Sequence, residues 1–391
     1  MTHQEARPPV RRRVVVAGLG DTGIQVVAAL ARHRRLLDVV GVGPKPGYLS
    51  GRHLGVRLAR PARWEENHRI AFHRFRRLDD VRTIHGRLEA VDTRAREVEV
   101  LRADGSTTRH GYDILVVCTG VRDGLGRTPS IQDDAEIDLA FGLARAAVAA
   151  APSLAVVGGG QTAVESAAQL AQAFPGKRVD LYFPGERALV HHHGRVWDHC
   201  RGELRRLGVG LHPGHRAELP PGQTGRLAPG PLRFRTGQAA VQADLVLYAV
   251  GRARPNTEWL PASMVDDAGF VRVDPELRVP GHDGIWAVGD VAASDPLRTT
   301  ARNRGAQLLV HNVLATVRGR RRRRYTARDR RWGTVLHEIG TVMTVFTTTG
   351  RALRHSRTSQ AFQERLLLRR VVHGGVRPSS CPGGTRSSRT R

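Results

Sequence analysis

Two short, unbroken apolar runs, each followed by glycines and then by an apolar-rich helical pattern, stand out along the chain. Residues 14–17 precede Gly-Leu-Gly-Asp-Thr-Gly at 18–23, and residues 154–157 precede Gly-Gly-Gly-Gln-Thr-Ala at 158–163. Apolar runs without alternation are typical of strands that are buried on both faces. Each stretch therefore predicts a buried strand, a tight turn and a helix. The predicted helices cover residues 24–33 and 162–173.

A second pattern also occurs twice. Residues 112–120 and 243–251 each place an Asp before an apolar strand and a Gly at its end. A glycine turn followed later by an Asp-strand-Gly segment therefore appears in two copies, which is a weak internal duplication. The pattern predicts an α/β fold with two Rossmann-like dinucleotide-binding domains.

The remaining pattern completes the domain prediction. Further strands are expected at residues 39–43, 83–90, 97–101 and 179–183, a hairpin turn at Asp104-Gly105, and helices over 133–150 and 297–312. Residues 44–80 show no clean period. We expect one domain from 10–130 and 265–318, a second inserted domain at 131–264, a small C-terminal module at 325–373, and a disordered basic tail at 374–391.

Composition adds a charge bias and a cellular setting. The 391 residues include 62 basic and 36 acidic side chains, a net charge of +26, yet Lys45 and Lys177 are the only lysines. So large an Arg excess favours codon bias over selection for charge, although unspecific affinity for polyanions follows from it. Cys118, Cys200 and Cys381 lie far apart and the N-terminus lacks an apolar stretch. We expect a cytoplasmic protein with no redox-active disulfide and no metal site.

The glycine turns carry the candidate chemistry. A strand ending in G-x-G-x-x-G points unpaired backbone N–H groups and a helix N-terminus at the space above it, and this arrangement binds pyrophosphate. One such turn is weak evidence, but two in the same context indicate two dinucleotides. Glu165, one turn into the second helix, is either a favourable charge near a helix start or a carboxylate directed at the nicotinamide end. We prefer the second interpretation.

With these motifs in place, the chain resembles the flavoproteins that bind two dinucleotides and are related to pyridine-nucleotide disulfide reductases. The most similar branch contains type II NADH dehydrogenases, apoptosis-inducing-factor-like proteins and ferroptosis suppressor protein. The resemblance covers about residues 13–317 and depends on the segments 18–23, 112–120, 158–165, 251–257 and 287–290. It implies that the first turn holds FAD, that the second holds NADH or NADPH, and that Asp290 accepts a hydrogen bond from the ribityl chain.

The expected site residues follow from these matches. Glu165 is the candidate catalytic residue, and no metal ligand is expected. The candidate cofactor-binding residues are Gly18, Gly20, Asp21, Thr22, Gly23, Lys45, Thr119, Gly120, Gly158, Gly160, Gln161, Thr162, Ala163, Arg187, Gly251, Gly289 and Asp290.

Three departures from the family pattern qualify the resemblance. The strand at 39–43 ends in Gly43, followed by Pro44-Lys45, where an acidic residue usually grips the adenosine ribose. The strand at 179–183 ends in Phe183, so the usual bias against a 2′-phosphate is absent, and Arg187 favours NADPH weakly. No pair of close cysteines is present, so the electrons must leave to an external acceptor such as a quinone.

Several other motifs favour a structural role over a role in metal or nucleic-acid binding. His191, His192 and His193 lack metal-ligand spacing and predict a polar loop or helix start. The arginine run at 320–324 predicts a solvated linker, with no specific nucleic-acid partner. The basic amphipathic segment at 362–372 predicts a helix that docks on its own domain or lies on an anionic membrane, at its inner face.

The leading hypothesis is an FAD-dependent NAD(P)H oxidoreductase. The alternatives are a nucleotide-sensing flavoprotein with incidental turnover, and a polyanion-binding protein that uses its Arg-rich tail.

Overall fold

The structure is a computed structural model that describes residues 11–122, 124–220, 226–250, 254–301, 304–356 and 373–378. Its α-helices are α1 (Gly23–Leu30), α2 (Leu54–Ala59), α3 (Pro61–His68), α4 (Asp134–Ala150), α5 (Gln161–Ala173), α6 (Gly194–Arg206) and α7 (Gly305–Val317). None of these helices is long and apolar enough to cross a lipid bilayer.

The strands fall into two large sheets and three small ones. They are β1 (Arg12–Ala17), β2 (Leu37–Gly43), β3 (Gly47–Leu49), β4 (Arg69–Ala71), β5 (Arg82–Asp92), β6 (Glu97–Arg102), β7 (Thr107–Gly111), β8 (Ile114–Val117), β9 (Val121–Arg122), β10 (Ser153–Val157), β11 (Arg178–Tyr182), β12 (Gly210–His212), β13 (Leu227–Ala228), β14 (Leu245–Tyr248), β15 (Arg254–Pro255), β16 (Ile285–Ala287), β17 (Gly333–Ile339), β18 (Val342–Phe346) and β19 (Ala352–Ser356).

The first large sheet is built around β1, in the order β16-β8-β1-β2-β5-β6-β7. The strands from β16 to β5 pair in parallel, and β5, β6 and β7 continue as an antiparallel meander. Gly105, at φ 81°, makes the predicted turn between β6 and β7. Strands β2 and β8 lie on opposite sides of β1, so a crevice opens at the carboxyl end of β1.

The second large sheet repeats this plan around β10, in the order β12-β11-β10-β14-β13. The duplication extends to the Asp residues before the equivalent strands. Asp113 accepts the backbone N–H of Arg13 at 2.8 Å, and Asp244 accepts that of Ser153 at 2.9 Å. Each Asp therefore ties the start of one strand to the start of its parallel neighbour. The predicted α/β class with two Rossmann-like units is confirmed.

The two units meet where α2 crosses α5. A Cβ on Gly55 would lie 2.6 Å from Cα of Ser166, so only glycine lets the two helices approach this closely. On another side of α5, the antiparallel sheet β17-β18-β19 packs with Val335, Leu336 and Phe346 in the same apolar core. Helix α5 is therefore covered from both directions.

Two predictions of local structure differ from what is observed. The helix expected from residue 297 begins only at Gly305, because the carboxylate of Asp295 accepts the N–H groups of Leu297 and Thr299 and holds them in a turn. The predicted disordered tail begins with ordered residues. Val376 bridges to Phe75, and Arg377 pairs with Asp79 at 2.6 Å. The amphipathic segment at 362–372 lies outside the described residues.

Candidate functional site

The first glycine turn forms an open cradle at the carboxyl end of β1. Gly18 has φ 100°, and a Cβ there would lie 2.6 Å from the carbonyl oxygen of Cys118. A Cβ on Gly23 would collide with the carbonyl oxygen of Gly18. A Cβ on Gly20, by contrast, would meet no atom within 4 Å. Packing therefore requires two of the glycines, and the third borders open space.

The second turn has the same construction. Gly158 has φ 137°, and its Cβ would lie 2.5 Å from the carbonyl oxygen of Ala249, whereas Gly160 borders open space. Neither α1 nor α5 has a side chain capping its first N–H groups, although both begin at these turns. Unpaired N–H groups and the positive end of the helix dipole therefore point into both cradles, which suits a pyrophosphate.

The Gly-Asp pair of the third motif lies against the first cradle. Gly289, at φ 92°, leaves space for Thr22, whose Oγ1 would be 2.8 Å from a Cβ on that glycine. Asp290 follows and is exposed at the cradle. The first glycine turn and the Gly-Asp pair, which are distant in the sequence, thus lie at one site.

A long cleft runs over the first cradle. Its lining includes Gly18, Gly20, Asp21, Thr22, Gly43, Lys45, Thr119, Gly120, Arg127 and Asp290. A second cavity shares Gly18, Gly43 and Thr119 with it and extends the cleft to Gly86, Leu88 and Trp259. An elongated groove with glycine backbone at its centre and apolar side chains at one end has the shape and chemistry of a dinucleotide site, so these residues fit FAD.

Asp21, a predicted cofactor contact, directs its carboxylate elsewhere. It accepts hydrogen bonds from Ser50 Oγ at 2.7 Å, Tyr48 Oη at 2.9 Å and the backbone N–H of Gly51 at 3.0 Å, and Arg52 Nε lies 3.8 Å away. Burial alone would raise the pKa of Asp21, but Arg52 and the two hydroxyls outweigh it and lower the pKa to about 2. The carboxylate therefore anchors the loop after β3, and backbone atoms are left to form the cradle.

Lys45 lies two residues after Gly43, the position where the family pattern would place an acid. Its ammonium donates to the carbonyl oxygen of Ser130 at 3.0 Å and to the side chain of Gln132, and burial lowers the pKa of Lys45 to about 8. Gly43 ends β2 without a carboxylate, and a Cβ there would press on Leu19. A ligand at this end of the cleft meets an ammonium group and carbonyl oxygens.

Other residues that were expected to contact a cofactor form hydrogen bonds within the chain instead. Thr119 Oγ1 donates to the carbonyl oxygen of Asn256 at 2.7 Å, so it braces the loop that follows β15. Gln161 directs its amide to the carbonyl oxygen of Thr334, away from the cradle. Thr162 is exposed and Ala163 is buried at the start of α5, and Gly251 lies outside the described residues.

Glu165 is buried at the contact between the two units. It is 3 % exposed, and its Oε1 lies 2.8 Å from Nδ1 of His53. His53 precedes α2 and has a left-handed backbone, with φ 57°. No sequence motif signals this pair, since His53 belongs to the stretch without a clean period and lies 112 residues from its partner.

Arg52 is a second residue that sequence reasoning missed. Burial alone would lower the pKa of Arg52, but the carboxylates of Asp21 and Asp290 outweigh it and raise the pKa. Its Nε lies 3.8 Å from the carboxylate of Asp21 in the first motif. It places a positive charge beside the cleft, one residue before His53.

Arg187 lies in the loop that follows β11. The loop folds over the second cradle, because the N–H of Leu189 donates to the carbonyl oxygen of Gly159 at 2.7 Å. Arg187 and its neighbour Glu186 are both exposed. An arginine and a carboxylate are therefore both available where the adenosine ribose of a second dinucleotide would lie.

The cysteines and histidines flagged in the sequence have structural roles. Cys118 and Cys200 are buried free thiols, and burial raises the pKa of each; Cys381 lies outside the described residues. His193 caps α6 by accepting the N–H of Arg195 at 3.3 Å. Within the described part of the chain no cluster of His, Cys, Asp or Glu has a geometry that could hold a metal ion.

Several curated proteins with similar sequences carry the name of an oxidoreductase or of an NADH dehydrogenase-like protein. The chain is 30% identical to oxidoreductase ptaL of Pestalotiopsis fici over 50% of this chain and 52% of that protein. It is 28% identical to an NADH dehydrogenase-like protein of Mycobacterium tuberculosis over 51% of this chain and 54% of that protein. The chain thus matches about half the length of these relatives.

Solved structures share the fold. A sulfide:quinone oxidoreductase from Aquifex aeolicus superposes with a TM-score of 0.69 at 17% identity, over 94% of this chain and 93% of that one. A water-forming NADH oxidase from Lactobacillus brevis gives a TM-score of 0.60 at 18% identity, over 85% and 74%. The family model described as pyridine nucleotide-disulphide oxidoreductase matches residues 8–313. The chain that carries these paired cradles therefore belongs to the pyridine nucleotide-disulphide oxidoreductase family.

Proposed function

We propose that this protein is an FAD-dependent NAD(P)H oxidoreductase that delivers electrons to an external small molecule such as a quinone. The observation that carries the proposal is the pair of equivalent, uncapped glycine cradles, joined by the contact between Glu165 of α5 and His53 of α2. Hydride transfer from NAD(P)H to FAD needs the two dinucleotides in contact, and this pair joins the helix of the second cradle to the first unit.

The first cradle would hold FAD. The backbone N–H groups at Gly20 and the start of α1 would face the pyrophosphate, Lys45 the adenosine end, and Asp290 the ribityl end. Bound FAD supplies the capacity to accept a hydride from NAD(P)H and release its electrons. The protein contributes position and charge, including the guanidinium of Arg52, whose Nε lies 3.8 Å from Asp21.

The second cradle would hold NAD(P)H, within the inserted domain at 131–264. Gly158 and Gly160 would receive the pyrophosphate on the N-terminus of α5. A weak preference for NADPH follows from β11, which leads into Phe183 instead of an acid, and from the exposed Arg187. Glu186 opposes this preference, because a carboxylate suits the free hydroxyls of NADH.

An external acceptor is required because no dithiol is available among the described residues. Cys118 and Cys200 are buried in separate apolar cores. We propose a quinone or a similar carrier, reduced in the cytoplasm or at the inner face of the membrane with which the basic C-terminal residues make peripheral contact.

Anaerobic mixing tests the proposal. The protein is purified or reconstituted with FAD, its visible spectrum is recorded, and it is mixed separately with NADH and NADPH. We expect both coenzymes to bleach the flavin absorbance rapidly, and one of them to bleach it faster than the other. Failure to retain FAD would contradict the proposal, and retention with only very slow bleaching would favour a nucleotide-sensing role.

A further inference from the structure

Two histidines with left-handed backbones meet beside Glu165. His53 has φ 57° and His337 has φ 61°, and their ring centroids are 4.8 Å apart. Positive φ is uncommon for residues other than glycine, and such conformations collect at functional sites. The residues come from α2 and from β17, which are far apart in the sequence.

The fold directs His337 to this position through a bulge. The pairing of β17 with β18 shifts register between Thr334 and Glu338, so His337 is displaced from the regular ladder. Bulges re-aim side chains and are frequent next to active sites. A third imidazole, that of His68, lies 5.3 Å from His53 and stacks on Trp64 at the end of α3.

The cluster is enclosed, and His53 lies two residues along the chain from Gly51, which lines the cleft. The side chain of Glu165 is 4% exposed and that of His53 is 19% exposed, so the imidazole keeps some contact with solvent. His53 follows Gly51, which lines the cleft, and Arg52, whose Nε lies 3.8 Å from Asp21. The imidazole of His53 therefore lies near the boundary between the first unit, which contains the cleft, and the second unit.

Hydrogen bonding selects the nitrogen that can exchange a proton. An ionised carboxylate can only accept, so Nδ1 of His53 carries the hydrogen shared with Glu165. Nε2 is then the nitrogen that gains and loses a proton. Burial first, and then the neighbouring His53, lower the pKa of His68 to about 3 and that of His337 well below its ordinary value, so these two rings are neutral.

We propose that His53 is the acid that delivers the proton needed by the electron acceptor, with Glu165 and His337 as positioning residues. This rests on the proposed function. A quinone takes up two electrons and two protons, and a hydride from NAD(P)H accounts for both electrons and one proton. The N–H bond at Nε2 of His53 breaks, an O–H bond forms on the acceptor, and solvent returns the proton to the ring. The carboxylate of Glu165 stabilises the positive ring by accepting the hydrogen bond from Nδ1.

Charged and titratable groups surround the cluster on every side. They are Glu165 on α5, Arg57 and Arg60 on α2, Arg63 and His68 on α3, His337 and Glu338 on β17, Arg52 and Asp21 on the cleft side, and His373 near the end of the described chain. The pH dependence of the acceptor reaction therefore reflects all of these groups together, with His53 as the one that delivers the proton.

The test separates the two halves of the reaction. Flavin is reduced anaerobically with NAD(P)H and then mixed either with a water-soluble benzoquinone or with ferricyanide, which takes up an electron without a proton. His53→Asn, chosen because Asn tolerates positive φ, should slow reoxidation by the quinone about 100-fold while leaving ferricyanide and the reduction step unchanged. His337→Asn should slow the quinone step less, and His110→Asn, in the outer hairpin, should match the wild type.

Each alternative outcome has a distinct meaning. If neither coenzyme reduces the wild-type flavin, the proposed function fails. If reduction is normal and His53→Asn reacts with the quinone at the wild-type rate, or if quinone and ferricyanide slow equally, the role of His53 is wrong. A second readout needs no turnover: ¹⁵N spectra should show His53 as the Nδ1–H tautomer, and Glu165→Gln should lose that preference. An Nε2–H tautomer in the wild type would contradict the assignment.

Discussion

At the scale of single residues, the negative charge of Asp21 lies next to a turn that suits an anionic ligand, and neighbouring groups compensate it. A carboxylate within a phosphate-binding turn would repel the ligand. Here it is held by Ser50, Tyr48 and the N–H of Gly51, and Arg52 lies 3.8 Å away. Its charge is therefore compensated by these partners, and it fixes the loop that leads to His53.

Asp21→Asn tests this anchoring role. The pKa of Asp21 in the folded protein is about 2, below its ordinary value of 3.8, so the ionised carboxylate stabilises the fold above about pH 4. That contribution is lost as the pH falls toward 2. We expect the variant to be less stable than the wild type by about 2 kcal/mol at pH 7, and the difference to shrink at pH 3. Urea unfolding at both pH values measures this.

The control for that experiment is Asp38→Asn, at an exposed position of β2. It should leave the free energy of unfolding unchanged at both pH values. Equal stability of Asp21→Asn and the wild type at pH 7 would show that the loop is held by other contacts.

Glu165→Gln tests the pair at the unit boundary. The amide is neutral and can donate as well as accept, so the hydrogen bond to His53 Nδ1 weakens and loses its fixed direction. We expect flavin reduction by NAD(P)H to slow about tenfold, and reoxidation by a quinone to slow as well, while FAD remains bound. Stopped-flow absorbance and the flavin content after gel filtration measure the two effects. Loss of FAD with a normal reduction rate would contradict the role given to Glu165.

The sequence could identify those residues that are needed because of their own backbone conformation. Gly18 and Gly158 are needed because their own backbone has positive φ, and a motif records that directly. The partner of Glu165 lies 112 residues away and belongs to no motif. Contacts of this kind depend on how α2 crosses α5, which no pattern along the chain encodes.

At the scale of elements, the two strand-turn-helix units should be separable by substitution. Gly20 and Gly160 border open space, and Gly160 has an ordinary φ of −88°, so a side chain at either position would extend into a cradle without straining the fold. Gly20→Val should weaken FAD retention, and Gly160→Val should weaken NAD(P)H binding, each at least about tenfold. Flavin content and the KM for the coenzyme measure the two.

Gly176→Val, in an exposed turn before β11, is the matched control and should change neither quantity. The melting temperatures of all three variants should stay close to that of the wild type. Weakening of both cofactors by either cradle variant would contradict the assignment of one cradle to each dinucleotide.

Most elements were predictable because buried parallel strands leave uninterrupted apolar runs. Strands β8 and β14 fall within their predicted ranges, and β1 and β10 begin two residues and one residue before the apolar runs that predict them. The start of α7 was not predictable, since Asp295 captures two backbone N–H groups and delays the helix. An acceptor side chain that competes for N–H groups can override an apolar period.

At the scale of the whole molecule, three distant segments converge on Glu338. This carboxylate on β17 is 1% exposed, forms an ion pair with Arg63 of α3 and lies 4.0 Å from Arg60. Its carbonyl oxygen accepts the amide of Gln169 on α5 at 3.0 Å. The C-terminal sheet is thereby fastened to both units at the place where His337 reaches His53.

Glu338→Gln should loosen this junction. Removing the charge leaves two largely buried guanidinium groups without their carboxylate, and breaking a buried ion pair in this way costs about 3 kcal/mol. We expect urea unfolding to show that loss, and hydrogen exchange to show reduced protection in β17 and α5 with little change in β1 and β2. Glu276→Gln is the control, because that carboxylate pairs with Arg278 and Arg322 at a more exposed site and should cost less than about 1 kcal/mol. A cost below 1 kcal/mol for Glu338→Gln as well would mean that apolar packing alone holds the C-terminal sheet, and the position of His337 would then not depend on this ion pair.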